Sequence, residues 1–269
     1  MIERSIITTY RKSIFGAFVG AIKDYRMISP EDKIAVCISG GKDSMLMAKL
    51  FCELSRHGDY PINLEFIVMN PGYSPESLRQ IMNNASLMKL PVRIFEANIF
   101  PYVSKTEKNP CYLCARMRRG HLYKAAQDLG CNKIALGHHF DDVIETILMG
   151  MLYGAQIQTM MPRIKSTSFP GMELIRPMYY IREAAITAWR DFNNLEFLNC
   201  ACHFTEQNAE NGAETSKRLE IKNLIRSLKK TNPQIEMNIF RSVRNVNLET
   251  ILGYHNHSES HYFMENFDS

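Results

Sequence analysis

The stretch Ile38-Ser39-Gly40-Gly41-Lys42-Asp43-Ser44 follows the apolar run KIAVC and precedes the helix-like MLMAKLFCEL. A buried strand that ends in a glycine turn and opens onto a helix is the setting of an anion site. The first amides of the helix have no intrahelical acceptor, and glycine lets a phosphate approach the backbone. The stretch is not a Walker A loop, which needs Ser or Thr directly after the lysine, because Asp43 stands between Lys42 and Ser44. A Rossmann G-x-G-x-x-G is absent as well. What remains is a cradle in which amides after Gly40 and Gly41 address phosphate oxygens, Lys42 adds a point charge, and the Ser39 and Ser44 hydroxyls add donors. The bland alternative is a Ser- and Gly-rich turn with a stray lysine.

Outward from this loop the pattern alternates. KIAVCI, LEFIVM, VRIFEA and KIAL read as short buried strands, with helical periodicity near 43–56, 75–89 and 115–129 between them. Strands alternating with helices predict an α/β fold, a parallel sheet flanked by helices on both faces. Ahead of it, Ile6, Tyr10, Ile14, Phe18 and Ile22 recur every four residues and predict one N-terminal helix within 1–29, ending near Ser29-Pro30. A further helix is expected from Asp141, whose carboxylate suits a helix start, to Tyr153-Gly154. Residues 155–172 read as a long loop, ELI as a short strand, and REAAITAWRDF as a helix. The C-terminal part, 201–269, reads as helical and charged with a loose tail, NHSESHYFMENFDS, and is expected to belong to the same domain as 30–200.

With 269 residues and 45% hydrophobic composition the chain can bury a substantial core. A formal net charge of +4 is compatible with a polyanionic partner and with many ordinary enzymes. No stretch approaches the roughly 18–20 apolar residues of a membrane span, and MIERSIITTYRKS lacks the apolar segment of a secretory signal. A cytoplasmic protein with no membrane partner is the expectation.

Seven cysteines in a reducing compartment point to metal or redox chemistry more than to disulfides. Cys111 and Cys114 form a C-x-x-C at the mouth of a predicted helix, followed by Arg116, Arg118 and Arg119. A helix N-terminus and nearby cations favour thiolates, which can share a metal or cluster or form a redox disulfide. Cys200 and Cys202 lie in LNCACHF, whereas Cys37 in a predicted strand, Cys52 on a helix face and Cys131 before a strand read as small core residues. Gly137-His138-His139-Phe140-Asp141-Asp142 follows a buried strand at the same sheet edge as the opening loop, so the two segments are expected to face one cleft. Arg218, Lys222, Arg226 and Lys230 recur every four residues opposite Ile221, Leu224, Ile225 and Leu228, either a solvated face or a basic stripe for an RNA backbone.

SGGKDS after a buried strand resembles the PP-loop of the N-type ATP pyrophosphatases, which cleave ATP between its α and β phosphates and adenylate a carbonyl oxygen. The order of SGGKDS, C-x-x-C with R-x-R-R-G behind it, GHHxDD, Arg176-Pro177 with Arg182-Glu183 downstream, and a late cysteine is similar to the bacterial tRNA 2-thiocytidine synthetases over roughly residues 30–250. The resemblance implies a PP-loop domain over 30–200 that binds ATP and Mg2+ through Ser39, Gly40, Gly41, Lys42, Asp43 and Ser44, with Met69 and Gly137 beside the nucleotide. It implies that Lys42, Arg118, Asp141 and Asp142 act in catalysis. It further implies a 4Fe-4S cluster on Cys111, Cys114 and Cys200, with Cys202 competing for the third place and a zinc site as the alternative metal. Its implied substrate is tRNA, at a pyrimidine such as cytidine 32, with sulfur from an external donor, a cysteine desulfurase pathway or sulfide, and with a homodimer as the assembly. Thiouridine formation, a PP-loop ligase or amidotransferase on a small metabolite, and a nucleotide- or iron–sulfur-binding regulator are the competing readings.

Overall fold

The structure is a computed structural model that describes residues 1–58, 61–103, 110–198, 217–256 and 259–267. The chain divides into two compact units, Met1–Val143 with Met161–Glu214, and Ile144–Met160 with Thr215–Ser269.

The first unit is built on a six-stranded sheet of β1 (Lys33–Ile38), β2 (Asn63–Asn70), β3 (Val92–Glu96), β4 (Lys133–Ala135), β5 (Arg163–Lys165) and β6 (Glu173–Ile175), in the order β3-β2-β1-β4-β6-β5. Every pairing is parallel except β5 with β6, which is antiparallel and closes one edge. Between the strands run α3 (Lys42–His57), α4 (Pro75–Leu87), the short α5 (Phe100–Val103), α6 (Pro110–Asp128) and α7 (Phe140–Gly154); α8 (Glu183–Phe192) follows β6. Central strands of a parallel sheet are covered on both faces, which is why β1 reads as an unbroken apolar run. Ala35 and Cys37 point to one face, where with Ile67, Ile134 and Leu174 they pack on Tyr123 and Ala126 of α6. Side chains alternate along a strand, so Ile34, Val36 and Ile38 face the other side, toward α3. Cys37 and Cys131 are core residues, and burial pushes both thiols up, Cys131 to about 11. At the amino ends of the strands the buried Lys133 ammonium joins Asp32 at 2.8 Å, Glu173 at 3.2 Å and the carbonyl of Met27 at 2.9 Å.

Three elements of the first unit differ from the sequence-based expectation. The N-terminal helix is broken into α1 (Ile2–Ile7), a π-helical turn at Arg11–Phe15, and α2 (Gly16–Asp24). Apolar residues repeating every four positions drift by about 40° per step on a 3.6-residue helix, so five of them cannot share one narrow stripe on a straight α-helix. Wider turns, closed by Tyr10 N–H to Ser5 O at 2.9 Å and Phe15 N–H to Tyr10 O at 3.4 Å, reset the face, and Ile6, Ile14, Phe18 and Ile22 are all buried. Strand β5 lies within the segment expected to be a loop, and α6 starts at Pro110 rather than near 115, with the C-x-x-C at its mouth as expected.

The second unit contains the last turns of α7, the helices Lys217–Thr231 and Ile235–Ser242, and an antiparallel hairpin of β7 (Gly253–Asn256) and β8 (Glu259–Tyr262). The hairpin occupies part of the tail expected to be loose. Ile221 and Ile225 are buried, while Leu224 and Leu228 are each 38% exposed. Arg218 reaches Glu145 at 3.7 Å, and Lys217 lies over the Tyr153 ring at 5.0 Å. None of the described helices is long and apolar enough to cross a membrane.

Candidate nucleotide site

Strand β1 pairs with β2 on one side and β4 on the other, so the connections leaving β1 and β4 diverge and open a crevice at their carboxyl ends. Both expected segments lie there. Gly40 has φ +86°, and a Cβ on it would come within 2.5 Å of Ile81 Cγ1 and 3.1 Å of Leu198 Cδ1, so the turn requires glycine in both conformation and space. A Cβ on Gly137 would stand 3.1 Å from Ser44 N and 3.2 Å from Asp43 C, which puts the loop after β4 in contact with the first turn of α3. The Ser44 hydroxyl knits this turn: it donates to Gly41 O at 3.0 Å, accepts from Ser39 N–H at 3.1 Å and shares a bond with Ser39 Oγ at 3.1 Å. Met45 N–H is the first to reach back, to Gly41 O at 3.1 Å, which leaves the amides of Lys42, Asp43 and Ser44 without an intrahelical acceptor.

A cavity of about 420 Å³ opens beside this turn. Ser39, Asp43 and Ser44 line it from the loop and α3, Met69 from β2, Ala115, Arg118 and Arg119 from α6, Gly137 from the β4–α7 connection and Asp142 from the first turn of α7. Gly40, Gly41 and Lys42 form the turn itself. The Lys42 ammonium lies between two carboxylates, 3.1 Å from Asp43 Oδ1 and 3.5 Å from Glu183 Oε1. Asp43 Oδ1 is buried and accepts no hydrogen bond, although it lies within ionic reach of Lys42 and 3.9 Å from His139 Nε2. A buried carboxylate oxygen without a donor, next to a phosphate-type cradle, suits a hard divalent cation shared with phosphates. Arg118 donates to the Tyr73 hydroxyl at 3.3 Å, a partner that no sequence motif signalled.

The two aspartates expected to act together have different surroundings. His139 caps α7: its carbonyl takes the first helical bond from Val143 N–H, its Nδ1 faces Asp142 N–H at 3.4 Å, and Asp142 Oδ2 accepts the His139 N–H at 3.0 Å. That reciprocal pair is a capping box with histidine in the serine position. Asp141 does not cap its own helix. Its Oδ2 accepts the Glu183 N–H at 2.7 Å, at the start of α8, and Arg182 Nη2 donates to its Oδ1 at 3.2 Å while lying over the Phe140 ring at 4.6 Å. Of the pair, Asp142 borders the cavity and Asp141 joins α7 to α8.

Cys114 is buried and packs with Met69, Ile99, Phe100 and Val103, so it shares Met69 with the cavity wall. Cys111 stands one turn earlier in α6. Cys200 and Cys202 lie outside the described residues. Among the described residues no three of His, Cys, Asp and Glu gather as a metal site.

Residues 15–211 match the model of the PP-loop domain family. The chain is 34% identical over 244 residues to the tRNA-cytidine(32) 2-sulfurtransferase of Methylobacillus flagellatus, which covers 88% of this chain and 76% of that one. With the tRNA-cytidine(32) 2-sulfurtransferase of Coxiella burnetii strain RSA 331 it shares 33% over 232 residues, 84% of this chain and 86% of that one. Among solved structures, the U34-tRNA thiolase NcsA from Methanococcus maripaludis with its [4Fe-4S] cluster superposes with a TM-score of 0.66 at 23% identity over 89% of this chain and 82% of that one, a likeness of fold. The chain therefore belongs to the PP-loop family, within the group of the tRNA-cytidine(32) 2-sulfurtransferases.

Proposed function

We propose that the protein is an ATP-dependent tRNA sulfurtransferase that converts a pyrimidine, cytidine 32, to its 2-thio form. The C2 oxygen attacks the α phosphorus of ATP, the bond to the β phosphate breaks and pyrophosphate leaves. A sulfide equivalent then attacks C2, and the C–O bond breaks with AMP carrying the oxygen away. The observation that carries this reading is the glycine turn of Ser39–Ser44 packed against Gly137, with Ala115, Arg118 and Arg119 of α6 on the wall of the same cavity and Cys114 packed behind that wall against Met69.

In this reading the free amides of α3, with Ser39, Gly40, Gly41 and Ser44, hold the phosphates, and Lys42 exchanges its carboxylate partners for phosphate oxygens as charge builds on the leaving pyrophosphate. Met69 and Gly137 border the nucleoside. Asp43 and Asp142 supply oxygens for Mg2+, and Asp141 positions the α7–α8 junction instead of touching substrate. Arg118 faces the acceptor nucleotide. Cys111, Cys114 and Cys200 are the proposed cluster ligands by the family resemblance, and the apolar surroundings of Cys114 suit iron–sulfur chemistry. When bound, a 4Fe-4S cluster with one iron lacking a protein ligand supplies a site for exchangeable sulfur. The sulfur itself comes from outside the chain, and a homodimer in the cytoplasm is the proposed assembly and location, both supported by the family resemblance.

The test is anaerobic: tRNA, ATP, Mg2+ and sulfide are incubated with the iron-loaded protein, and the nucleosides are analysed by mass spectrometry. The expected products are 2-thiocytidine at position 32 and one pyrophosphate per base, with Cys114→Ser abolishing thiolation while ATP still binds. Pyrophosphate release without any thiolated pyrimidine would overturn the proposal, and 2-thiouridine would correct the base.

A further inference from the structure

A second cavity, of about 510 Å³, adjoins the first through Ala115 and Arg119. Its walls come from α6, from β5 and the segment after it, and from Arg176 directly after β6. Four cations line it, Arg116, Arg119, Lys165 and Arg176, together with the hydroxyl residues Ser166, Thr167 and Ser168 and no carboxylate. The floor is ordered by Tyr123, buried and stacked on Phe169 at 5.0 Å and 13°, and by Ser166 Oγ, which accepts the Phe169 N–H at 3.1 Å.

Elsewhere on this sheet cations are neutralised: Lys133 has Asp32 and Glu173, and Arg163 has Glu173 through two bonds at 2.8 and 2.9 Å. Among the described residues the four cations of the second cavity form no ion pair. Arg176 makes the contrast sharpest. It is 9% exposed, its Nη1 donates to Met161 O, and its Nε is buried with no hydrogen-bond partner. Burial, and then the neighbouring Arg119, pull its pKa down to about 10. A buried guanidinium N–H without an acceptor is costly, and natural interiors retain such a group where something else completes it. An anion from outside the chain does so, and a guanidinium fork beside hydroxyls matches a phosphate.

We propose that this cavity receives a phosphodiester of the tRNA backbone beside the nucleotide being modified. Arg116, Lys165 and Arg176 engage the phosphate, and Arg119 stands on the path between the two cavities. The inference rests on the proposed tRNA substrate and deepens it, since the phosphates of ATP are assigned to the turn at 39–44. Backbone contacts of this kind fix the register of an RNA and add salt-dependent affinity without reading sequence.

The test is tRNA binding to the wild type and to the exposed double variant Arg116→Gln/Lys165→Gln, measured by fluorescence anisotropy across a salt series, with ATP affinity as the control for folding. The expected result is tRNA affinity lower by about tenfold or more at physiological salt, with the slope of log K against log salt reduced by about 0.7–0.9 per lost contact and ATP affinity unchanged. Equal tRNA affinity and slope in the two proteins would overturn this inference alone. A wild type with no tRNA affinity would overturn it together with the substrate reading. If inorganic pyrophosphate erases the difference between wild type and variant, the cavity is a product site and the RNA assignment falls.

Discussion

Asp141 and Asp142 are adjacent carboxylates whose tasks are set by partners far apart in the chain. Asp141 spends both oxygens on α8, 41 residues downstream, through Glu183 N–H and Arg182. Asp142 gives one oxygen to the capping box and borders the nucleotide cavity. Neutralising them separates the roles. Asp141→Asn keeps an acceptor for the amide but loses the charge facing Arg182 and is expected to cost about 1 kcal/mol of stability, as a charge-assisted bond at a helix start does, with ATP affinity unchanged. Asp142→Asn is expected to weaken Mg2+-dependent ATP binding several-fold at a similar or smaller stability loss. Urea denaturation and ATP titration read the two effects, and a variant pair with identical profiles would contradict the assignment. The sequence pointed to a helix start here, but not to which residue caps which helix, because Arg182 and Glu183 become neighbours of Asp141 only in the folded chain.

At the scale of elements, α1 is held to α3 by one ion pair with unequal burial. Lys49 is fully buried, donating to Glu3 Oε1 at 2.8 Å and to Met88 O at 2.9 Å, while Glu3 remains partly exposed. The hydrogen bond from Lys49, opposed by burial, lowers the Glu3 carboxyl to about 2. A carboxyl depressed on folding adds stability that is complete above its unfolded value near 4.5 and lost as pH falls toward about 2. Glu3→Gln is therefore expected to cost about 1–3 kcal/mol at pH 7, the range for a hydrogen bond to a charged partner, and progressively less below pH 4. Paired urea curves at pH 7 and pH 3 check this; a penalty that does not shrink with acid would rule out the ion pair as its source. The same region shows what periodicity conveys. The four-residue repeat announced a buried face correctly, but not the π-helical turn needed to keep it on one side. Strand β5 escaped notice because Arg-Ile-Lys is a three-residue edge strand amid Pro, Ser and Gly, too short to register a period of two. The β7–β8 hairpin is polar and histidine-rich, with no apolar alternation to mark it.

For the whole molecule, the parallel sheet flanked by helices was the legible part, because buried strands alternating with amphipathic helices favour that arrangement, and SGGKDS marks where the chain turns over the crevice. The packing behind the turn was not legible: Ile81 of α4 and Leu198, beyond α8, close on Gly40, and Leu198 N–H donates to Gly40 O at 3.3 Å. That closure makes the chain's single tryptophan a reporter. Trp189 is fully buried in α8, whose first turn Asp141 holds, and it stacks on Phe197 at 6.3 Å and 14°, one residue before Leu198. Every described residue around the 420 Å³ cavity belongs to the same unit as Trp189. A ligand that binds only the folded state stabilises it by about 2.7 kcal/mol at a hundredfold excess over its dissociation constant. For a unit of this size such a gain raises the midpoint by about 5–10 °C. Thermal unfolding followed by tryptophan fluorescence should therefore shift upward by that amount with saturating ATP and Mg2+, and much less with adenosine, which lacks the phosphates the turn is built to hold. If adenosine shifted the midpoint as far as ATP, or if ATP left it unmoved, the turn at 39–44 would not be the nucleotide cradle.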